Sequence, residues 1–463
     1  MYCPSCGSEL PPNANFCPEC GLSFDNAKST AQPVPSIAPR RSPPSERPVQ
    51  APAPAQPVAR PRDKPKASKI IISAILVFAL LGSVFAVVTV VTWGTYTSDA
   101  SYSHVPATPS STSTWIFHAD LADMNIIYTS NASAPEVQVN VHYDFAGAFL
   151  AGKTAGDLFT EDWDNASTVK HFYLNSKNWW TFPMIENNLV TITLRTGVEY
   201  NITATTATGS STITVPNNEN LTSLAIQSST GSISASLGTN ITVFGNVTIN
   251  SMTGSSSLVV GNSTNVTGPI GVSASTGSVH LDIQDNCKVG IVMLHASTGN
   301  IAADIGNSNL TGGFSAETST GSSQLRLTGT ILGDDINASA STGSVDTWLT
   351  NITYASNIHF NIMVSTGSIY ANITQLINPG ANLTSSMNAS TGSVDVGYKA
   401  DDAVTSAMFA SETDIGDIDY TNINGFLSPV GNTFQSANYP SPRRMTFQIR
   451  TNTGGIRVSG QMI

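Results

Sequence analysis

The sequence predicts a mainly β protein: an extracellular β-solenoid (β-helix) of about ten rungs, preceded by one transmembrane helix and a small N-terminal zinc ribbon. The first observation is that Ser-Thr-Gly recurs, with its glycine at positions 231, 277, 299, 321, 343, 367 and 392. The second is that looser copies at Gly209, Gly254 and Gly416 keep successive glycines 22 to 25 residues apart. A fixed period of this length indicates stacked structural repeats.

The third observation is the alternation of apolar and polar residues within each repeat. Apolar residues lie two, four and six positions after the glycine, as in Val279, Leu281 and Ile283. Before the glycine they lie seven, five and three positions back, as in Phe360 and Val364. Period two is typical of half-buried strands, and its change of parity indicates a corner, where glycine tolerates positive φ. An antiparallel sandwich with similar hairpins is the alternative.

The repeated Ser-Thr-Gly-Ser-Val unit, behind an apolar segment, resembles the adhesin repeat family of prokaryotic surface proteins. The resemblance covers roughly Asn125 to Val458. It implies a β-helical fold, a surface location and an adhesive role.

The N-terminal segment, residues 1–24, contains two Cys-x-x-Cys-Gly motifs. Their thiolates, Cys3, Cys6, Cys17 and Cys20, are four candidate ligands for one structural Zn²⁺. So short a piece has no core without the metal. The segment resembles the short zinc ribbons of prokaryotic membrane proteins; two disulfides are the alternative.

A Pro-rich, basic and disordered linker is predicted over residues 25–69, followed by a transmembrane helix over 70–93. The second segment has 24 residues without a charge, enough to cross a bilayer as a helix. Basic residues precede it and none follows before Lys153, so the positive-inside rule places the N-terminus in the cytoplasm and the C-terminal part outside the cell.

Charge limits the partners that the C-terminal part can take. Residues 94–463 contain 11 Lys and Arg against 26 Asp and Glu, a net charge of −15. This acidic balance argues against nucleic acid or anionic lipid as a partner.

The rest of the chain divides into four predicted regions. They are a Ser/Thr/Pro-rich stalk (94–114), an N-terminal cap with first strands (115–206), the solenoid repeats (207–419) and a C-terminal cap (420–463). The strands predicted in the N-terminal cap are Met124–Tyr128, Val137–Tyr143, Val190–Leu194 and Tyr200–Thr203. The cap also holds an aromatic insert with Trp163, Phe172, Tyr173, Trp179 and Trp180. These rings either pack over the first coil or form an exposed sugar-stacking platform.

Two patterns suggest chemistry. Gly147 to Thr154 satisfies the P-loop pattern, but Gly156 interrupts the helix that must follow, so nucleotide binding is not expected. Asp282 and Asp304 occupy equivalent outward places on neighbouring rungs, with Arg326 next. Such acids either hold Ca²⁺, catalyse cleavage of a sugar chain or form a solvated face, and the solvated face is favoured.

Isolated side chains add less. His280, His295 and His359 are scattered, and Cys287 is the only cysteine after the apolar segment, expected as a small buried side chain. Fourteen Asn-x-Ser/Thr sequons suggest a glycoprotein. They are Asn131, Asn165, Asn201, Asn220, Asn240, Asn246, Asn262, Asn265, Asn309, Asn337, Asn351, Asn372, Asn382 and Asn388.

We therefore expect a single-pass, membrane-anchored cell-surface protein with a structural or adhesive role and no enzymatic activity. Its expected partners are surface polysaccharide or an envelope protein. Two alternatives stay open. One is a transmembrane adaptor or sensor whose zinc ribbon recruits a cytoplasmic protein, and the other is a polysaccharide-active β-helix enzyme.

Overall fold

The structure is a computed structural model of the chain and describes residues 67–108, 110–177, 184–440 and 443–463. Side chains are described throughout these ranges except at 67–76 and 184–186. The four candidate zinc ligands and the Pro-rich linker lie outside the described residues. The chain divides into two units, Met1–Ile71 and Ile72–Ile463, and every strand belongs to the second.

A helix of 26 residues, α1 (Ala67–Thr92), precedes the strands. From Val77 onward its apolar side chains are exposed, among them Phe78, Leu81 and Phe85. Within the part of the chain that the structure describes, no helix meets the length and apolarity required of a membrane span. The span over 70–93 stays a prediction.

Eight strands and a four-residue helix form the N-terminal region. They are β1 (Gly94–His104), β2 (Thr112–Leu121), β3 (Asp123–Thr129), β4 (Val137–Gly147), α2 (Ala155–Leu158), β5 (Phe159–Asp164), β6 (Val169–Ser176), β7 (Met184–Glu186) and β8 (Leu189–Arg195). Three of the predicted strands are confirmed as β3, β4 and β8. Residues 94–104, predicted as stalk, instead form β1, because alternate residues such as Tyr96 and Tyr102 pack on the core while β1 pairs antiparallel with β4.

The middle of the chain consists of short strands in a repeating order. They are β9 (Glu199–Thr208), β10 (Ser211–Val215), β11 (Leu221–Thr230), β12 (Ile233–Leu237), β13 (Thr242–Val243), β14 (Val247–Thr253), β15 (Ser256–Val260), β16 (Asn265–Val266), β17 (Ile270–Thr276), β18 (Val279–Ile283), β19 (Lys288–Val289), β20 (Val292–Thr298), β21 (Ile301–Ile305), β22 (Asn309–Leu310), β23 (Phe314–Thr320), β24 (Ser323–Thr328), β25 (Ile331–Leu332), β26 (Ile336–Thr342), β27 (Val345–Thr350), β28 (Thr353–Tyr354), β29 (Ile358–Thr366), β30 (Ile369–Gln375), β31 (Leu383–Thr391) and β32 (Val394–Ala400). The fourth predicted strand is confirmed within β9.

The C-terminal region contains β33 (Ser406–Ile415), β34 (Ile418–Asn424), β35 (Thr433–Gln435), β36 (Arg444–Thr453) and β37 (Ile456–Met462). Within the predicted C-terminal cap, β36 and β37 carry the last corner glycine between them, Gly454.

In each coil two longer strands are joined by the corner glycine and belong to two sheets. Most of the middle coils add a third strand of two residues, and these short strands also pair in parallel from coil to coil, as β16 does with β13 and β19. Strands after the corner form the first sheet, in which β15, β18 and β21 pair in parallel and in register, Leu258 with Leu281 and Leu281 with Ala303. Strands before the corner form the second sheet, in which β14, β17 and β20 pair the same way. The core lies between the two sheets and is made of inward residues such as Val272 and Ile283. The predicted strand, corner and strand of one repeat are confirmed.

The corner admits only glycine. Gly343 has a φ of +133°, and a Cβ added to it would lie 1.8 Å from the carbonyl oxygen of Gly321 on the preceding coil. The residue after the glycine links the coils, because the backbone N–H of Ser278 donates to the hydroxyl of Ser255 at 3.2 Å. The Ser-Thr-Gly-Ser recurrence therefore follows from close backbone approach and a side-chain ladder at one edge.

At both ends the coils stack out of sequence order. The coil of β2 and β3 lies between that of β6 and β8 and that of β9 and β10. The coil of β36 and β37 lies between that of β31 and β32 and that of β33 and β34. The expectation that Gly416 follows Gly392 in the glycine column is wrong: Gly454 sits against Gly392, and Gly416 sits against Gly454.

Antiparallel strands lie at the N-terminal end of both sheets and at the C-terminal end of the second sheet, whereas the first sheet ends at β34, which pairs in parallel with β37. At the N-terminal end β4 pairs with β8, β1 with β4 and β5 with β6, and at the C-terminal end β35 pairs with β33. Such strands cover the last parallel strand, whose free edge would otherwise invite pairing with another chain. Of the predicted C-terminal cap, 420–463, residues 444–462 are thus an internal coil rather than a cover.

Candidate functional site: the outward face of the first sheet

The outward face of the first sheet carries a row of charged and aromatic side chains. Asp282, Asp304, Arg326 and Trp348 each lie five residues after a corner glycine, and parallel pairing places each beside the next. Tyr370 lies on the following coil, diagonally beside Trp348. These five residues are called the Trp348 strip below. Its first three members confirm the predicted adjacency of Asp282, Asp304 and Arg326.

The earlier coils of the first sheet differ from the strip in their outward side chains. On earlier coils the same two outward columns contain only small side chains without charge. They are Thr212, Thr214, Ser234, Ser236, Ser257 and Val259. The strip therefore begins where these columns change from small uncharged side chains to charged and aromatic ones, and charged residues continue on later coils at Asp395 and Arg457.

Arg326, Trp348 and Tyr370 contact one another. The guanidinium carbon of Arg326 lies over the Trp348 ring, 4.9 Å from its centroid. The Trp348 and Tyr370 rings have centroids 5.8 Å apart and planes inclined at 54°. Cation–π contact and aromatic packing each stabilise such an arrangement by about 0.5–1.5 kcal/mol. The rings are thereby held in place before any ligand arrives.

A groove of about 530 Å³ lies at the acidic end of the strip. Its lining includes Asp282, Gln284, Asp285, Asp304 and Arg326. Partial burial, with the neighbouring charge of Asp304 adding to it, raises the pKa of Asp282 above that of an ordinary carboxyl, and His280 acts in the opposite direction.

The calcium interpretation gains no support from this groove. The carboxylate of Asp285 already accepts the backbone N–H of Asn307 at 3.0 Å, as part of the ladder between coils. Among the described side chains, no group of three or more His, Cys, Asp or Glu residues is arranged to hold a metal ion.

The aromatic insert of the N-terminal region packs inward. Trp163 lies over Trp115, with ring centroids 5.2 Å apart, and also contacts Phe172. Trp115 and Phe172 are fully buried. Tyr173 instead lies on the outer face of β6, where its ring stacks on that of His171 with centroids 4.4 Å apart. These contacts favour the cap over the sugar-stacking platform; Trp179 and Trp180 lie outside the described residues.

The P-loop pattern does not form a phosphate cradle. Gly147 ends β4, and the helix that follows Thr154 is α2, with only four residues. The carboxylate of Asp157 accepts the backbone N–H of Thr154 at 2.9 Å, so an acidic group occupies the place where a phosphate would bind.

The remaining predicted residues are also placed. Cys287 is buried, with its sulfur 3.1 Å from the carbonyl oxygen of Gly261, and burial raises the pKa of its thiol. This confirms the small buried side chain. His359 lies 3.4 Å from Asp335. All 14 sequon asparagines are exposed or half-buried, so each side chain reaches the surface.

Sequence analysis missed Trp348 and Tyr370. The signal was present, because residues three and five positions after a corner glycine point outward, and both aromatics occupy such positions. Large aromatic side chains at outward positions of a regular sheet mark a binding surface more specifically than aromatics in an irregular insert.

Comparison with known proteins gives a family match and matches among solved structures. Residues 2–23 match the family model of the zinc-ribbon domain. A solved structure of a "putative cell adhesion protein" from Clostridium sporogenes ATCC 15579 is similar at 9% identity, over 79% of this chain and 100% of that one, with a TM-score of 0.16. A TM-score this low carries no argument about fold or function. No curated protein matches the chain.

Proposed function

We propose that this protein is a membrane-anchored cell-surface adhesin, in which a β-solenoid of about ten rungs presents the Trp348 strip to an external ligand. Its role is binding rather than catalysis. The observation that carries the proposal is the strip itself, a preformed cluster of Arg326, Trp348 and Tyr370 among charged side chains on the outward face of the first sheet.

The solenoid interpretation is supported by the column of corner glycines. Each coil places its glycine against the carbonyl of the coil before it, from Gly231 on Gly209 to Gly392 on Gly367. A stack of this kind is long and rigid, which suits a structure that holds a binding face away from its point of attachment.

The anchor and the zinc ribbon complete the proposal. The uncharged segment 70–93 is long enough to cross a bilayer, and its described apolar side chains lack cover. The match over residues 2–23 supports a zinc ribbon, with Cys3, Cys6, Cys17 and Cys20 as ligands of one structural Zn²⁺.

Cell attachment tests the proposal. The full chain is displayed on a host cell that normally lacks it, and retention is measured on surfaces coated with other cells or with envelope material. Retention should rise with display, and fall when Trp348 and Tyr370 are both changed to Ser, the residue found in these columns elsewhere. Equal retention with and without the displayed chain would refute the adhesive function.

The polysaccharide-active enzyme is a second candidate, favoured by the raised pKa of Asp282 beside Asp304. A raised pKa brings a carboxyl closer to the protonated form that a general acid requires. The full chain is incubated with polysaccharides and reducing ends are counted, with Asp282→Asn and Asp304→Asn as controls. If the chain cleaves a polysaccharide and each substitution abolishes that cleavage, the function is catalysis rather than binding.

A further inference from the structure

We propose that the ligand of the Trp348 strip is an uncharged polysaccharide chain, lying along the stack of coils with sugar rings on Trp348 and Tyr370. This inference rests on the proposed adhesive function and names the ligand class for the same site. The Trp348 strip runs through five coils, and at about 4.8 Å per coil its length is on the order of 20 Å. Such a strip is long enough for several sugar units, and it runs in one direction, as a linear polymer does.

The aromatic pair fits the apolar face of a sugar ring. Trp348 and Tyr370 are half-buried, so each ring keeps part of its surface open to solvent. Large rigid rings contribute contact area at a low cost in conformational entropy. Arg326 and Tyr370 hold the Trp348 ring from two sides, so little ordering is left for the moment of binding.

Polar side chains around the rings fit sugar hydroxyls. Asn372 lies beside Trp348 in register, Asp346 lies beside Tyr370, and Gln324 lies beside Asp346. A sugar hydroxyl both donates and accepts hydrogen bonds, and this neighbourhood supplies carboxylate acceptors, amide groups of both kinds and the guanidinium donors. Because these groups project from paired strands rather than loops, their positions are fixed by the sheet.

Charge selects among polysaccharides. The strip and its groove contain three carboxyls, Asp282, Asp285 and Asp304, and two more, Asp346 and Asp395, lie beside Tyr370 in register, against the guanidinium of Arg326. The whole segment 94–463 is also acidic, with a net charge of −15. Like charges placed opposite one another suppress binding, so chains of uronic acids or sulfated sugars are disfavoured. An uncharged hexose polymer meets no such repulsion.

Titration of the full-length chain with defined hexasaccharides tests the inference. The protein is produced in a host without N-glycosylation, so that the sequon at Asn372 stays bare, and is held in detergent. The probes are cellohexaose, mannohexaose and chitohexaose as uncharged chains, with hexagalacturonate as the acidic chain of equal length. Binding is measured by calorimetry for the unchanged chain and three variants.

The variants separate the strip from the rest of the surface. Trp348→Ser introduces the side chain that the same column contains at Ser236. It should weaken binding roughly tenfold or more, as expected for a residue at the centre of a binding surface. Tyr370→Ser should weaken it less. Phe244→Ser is the matched control, since Phe244 is an exposed aromatic away from the strip, and should leave binding unchanged. Thermal unfolding of each variant shows whether the fold is intact.

The outcomes are distinct. Binding of an uncharged hexamer that Trp348→Ser weakens in a folded chain supports the inference. It is overturned when no uncharged hexamer binds, when hexagalacturonate binds more tightly, or when a folded Trp348→Ser chain binds as well as the original. Should the strip variants abolish cell attachment while every hexamer fails to bind, the ligand class is wrong and the adhesive function stands.

Discussion

The middle of the coil stack and its two ends are built by different rules of order. From β9 to β32 each coil lies on the one that precedes it in the sequence, whereas at each end one coil is placed between two others that are closer to each other along the chain. The glycine period is nevertheless kept at the C-terminal end, where Gly392 and Gly416 are 24 residues apart. A regular period therefore predicts that coils form, but not which coil lies next to which.

Charge and packing explain the order at the C-terminal end. In simple sequence order Asp395 and Asp419 would lie opposite each other and repel. The inserted coil places Arg457 between them, 3.8 Å and 3.9 Å from the two carboxylates. It also stacks Phe447 on Phe409, with ring centroids 4.5 Å apart and planes at 9°. The end of the stack is thus specified by contacts between side chains, which a repeat period does not encode.

Removing the inserted coil should have the largest effect. A chain ending at Pro440 loses β36 and β37, whose buried apolar residues include Met445, Phe447, Ile449, Ile456 and Val458. At about 1.5–3 kcal/mol for each buried side chain, the loss approaches the whole stability of a domain. We expect no cooperative unfolding transition by circular dichroism, or one at a much lower temperature.

A chain ending at Met462 is the control for this truncation, since it lacks only the exposed Ile463. A Pro440 chain that unfolds like the full chain would show that the C-terminal residues cover the stack rather than form part of it.

The second largest effect is expected from replacing a corner glycine of the middle coils. In Gly343→Ala the new Cβ would lie 1.8 Å from the carbonyl oxygen of Gly321, and the positive φ adds strain. We expect the free energy of unfolding to fall by about 3 kcal/mol or more. Gly271→Ala is the control, because nothing lies within 4 Å of its added Cβ, and it should change stability by less than about 1 kcal/mol. If urea denaturation shows equal losses of stability for Gly343→Ala and Gly271→Ala, the steric requirement for glycine at the corner is wrong.

The sequence predicts the glycine corners of the middle coils better than it predicts the order of the end coils. Alternation and the glycine period depend on residues close in sequence, so strands, corners and the inward residues of the middle coils follow from them. The order of the end coils depends on pairs such as Asp395 and Arg457, which are far apart in the chain and leave no periodic trace. Residues 94–104 were misassigned for a similar reason: their Ser and Thr content suggests a stalk, while pairing with β4 makes them a strand.

The candidate site is predictable in part. The adjacency of Asp282 and Asp304 follows from equal positions on successive repeats. Trp348 and Tyr370 obey the same rule, but their joint position depends on a diagonal contact across two coils, which is visible only once the register is known.

Reversing the charge of Arg457 tests whether ion pairs set the stacking order of the C-terminal coils. Its expected effect on stability is smaller than that of the truncation or of Gly343→Ala. Arg457→Glu would place a third acid between Asp395 and Asp419, both of which are partly exposed. We expect a loss of about 1 kcal/mol at low salt, shrinking as salt screens the charges. Lys288→Glu is the control, since its neighbours in register, Asn265 and Asn309, are uncharged. A loss that does not depend on salt would indicate that packing alone orders the coils.

The smallest expected effect is a dependence of stability on pH that arises at the N-terminal end of the stack. At the N-terminal end His104 is buried, and burial lowers the pKa of its imidazole, with Lys170 acting in the same direction and Glu136 opposing. The unfolded chain takes up this proton near the ordinary value of about 6.5, and the folded chain only at lower pH. Protonation therefore favours unfolding, so this contribution to stability is present above that value and decreases as the pH falls below it.

His104→Gln should accordingly flatten the decrease in unfolding temperature between pH 7.5 and pH 5.5. His295→Gln is the control, because His295 is exposed on the second sheet. The exposed Arg457 contacts at the other end should respond to salt, which screens them. A pH dependence that His104→Gln leaves unchanged would assign it to other groups and remove this difference between the ends.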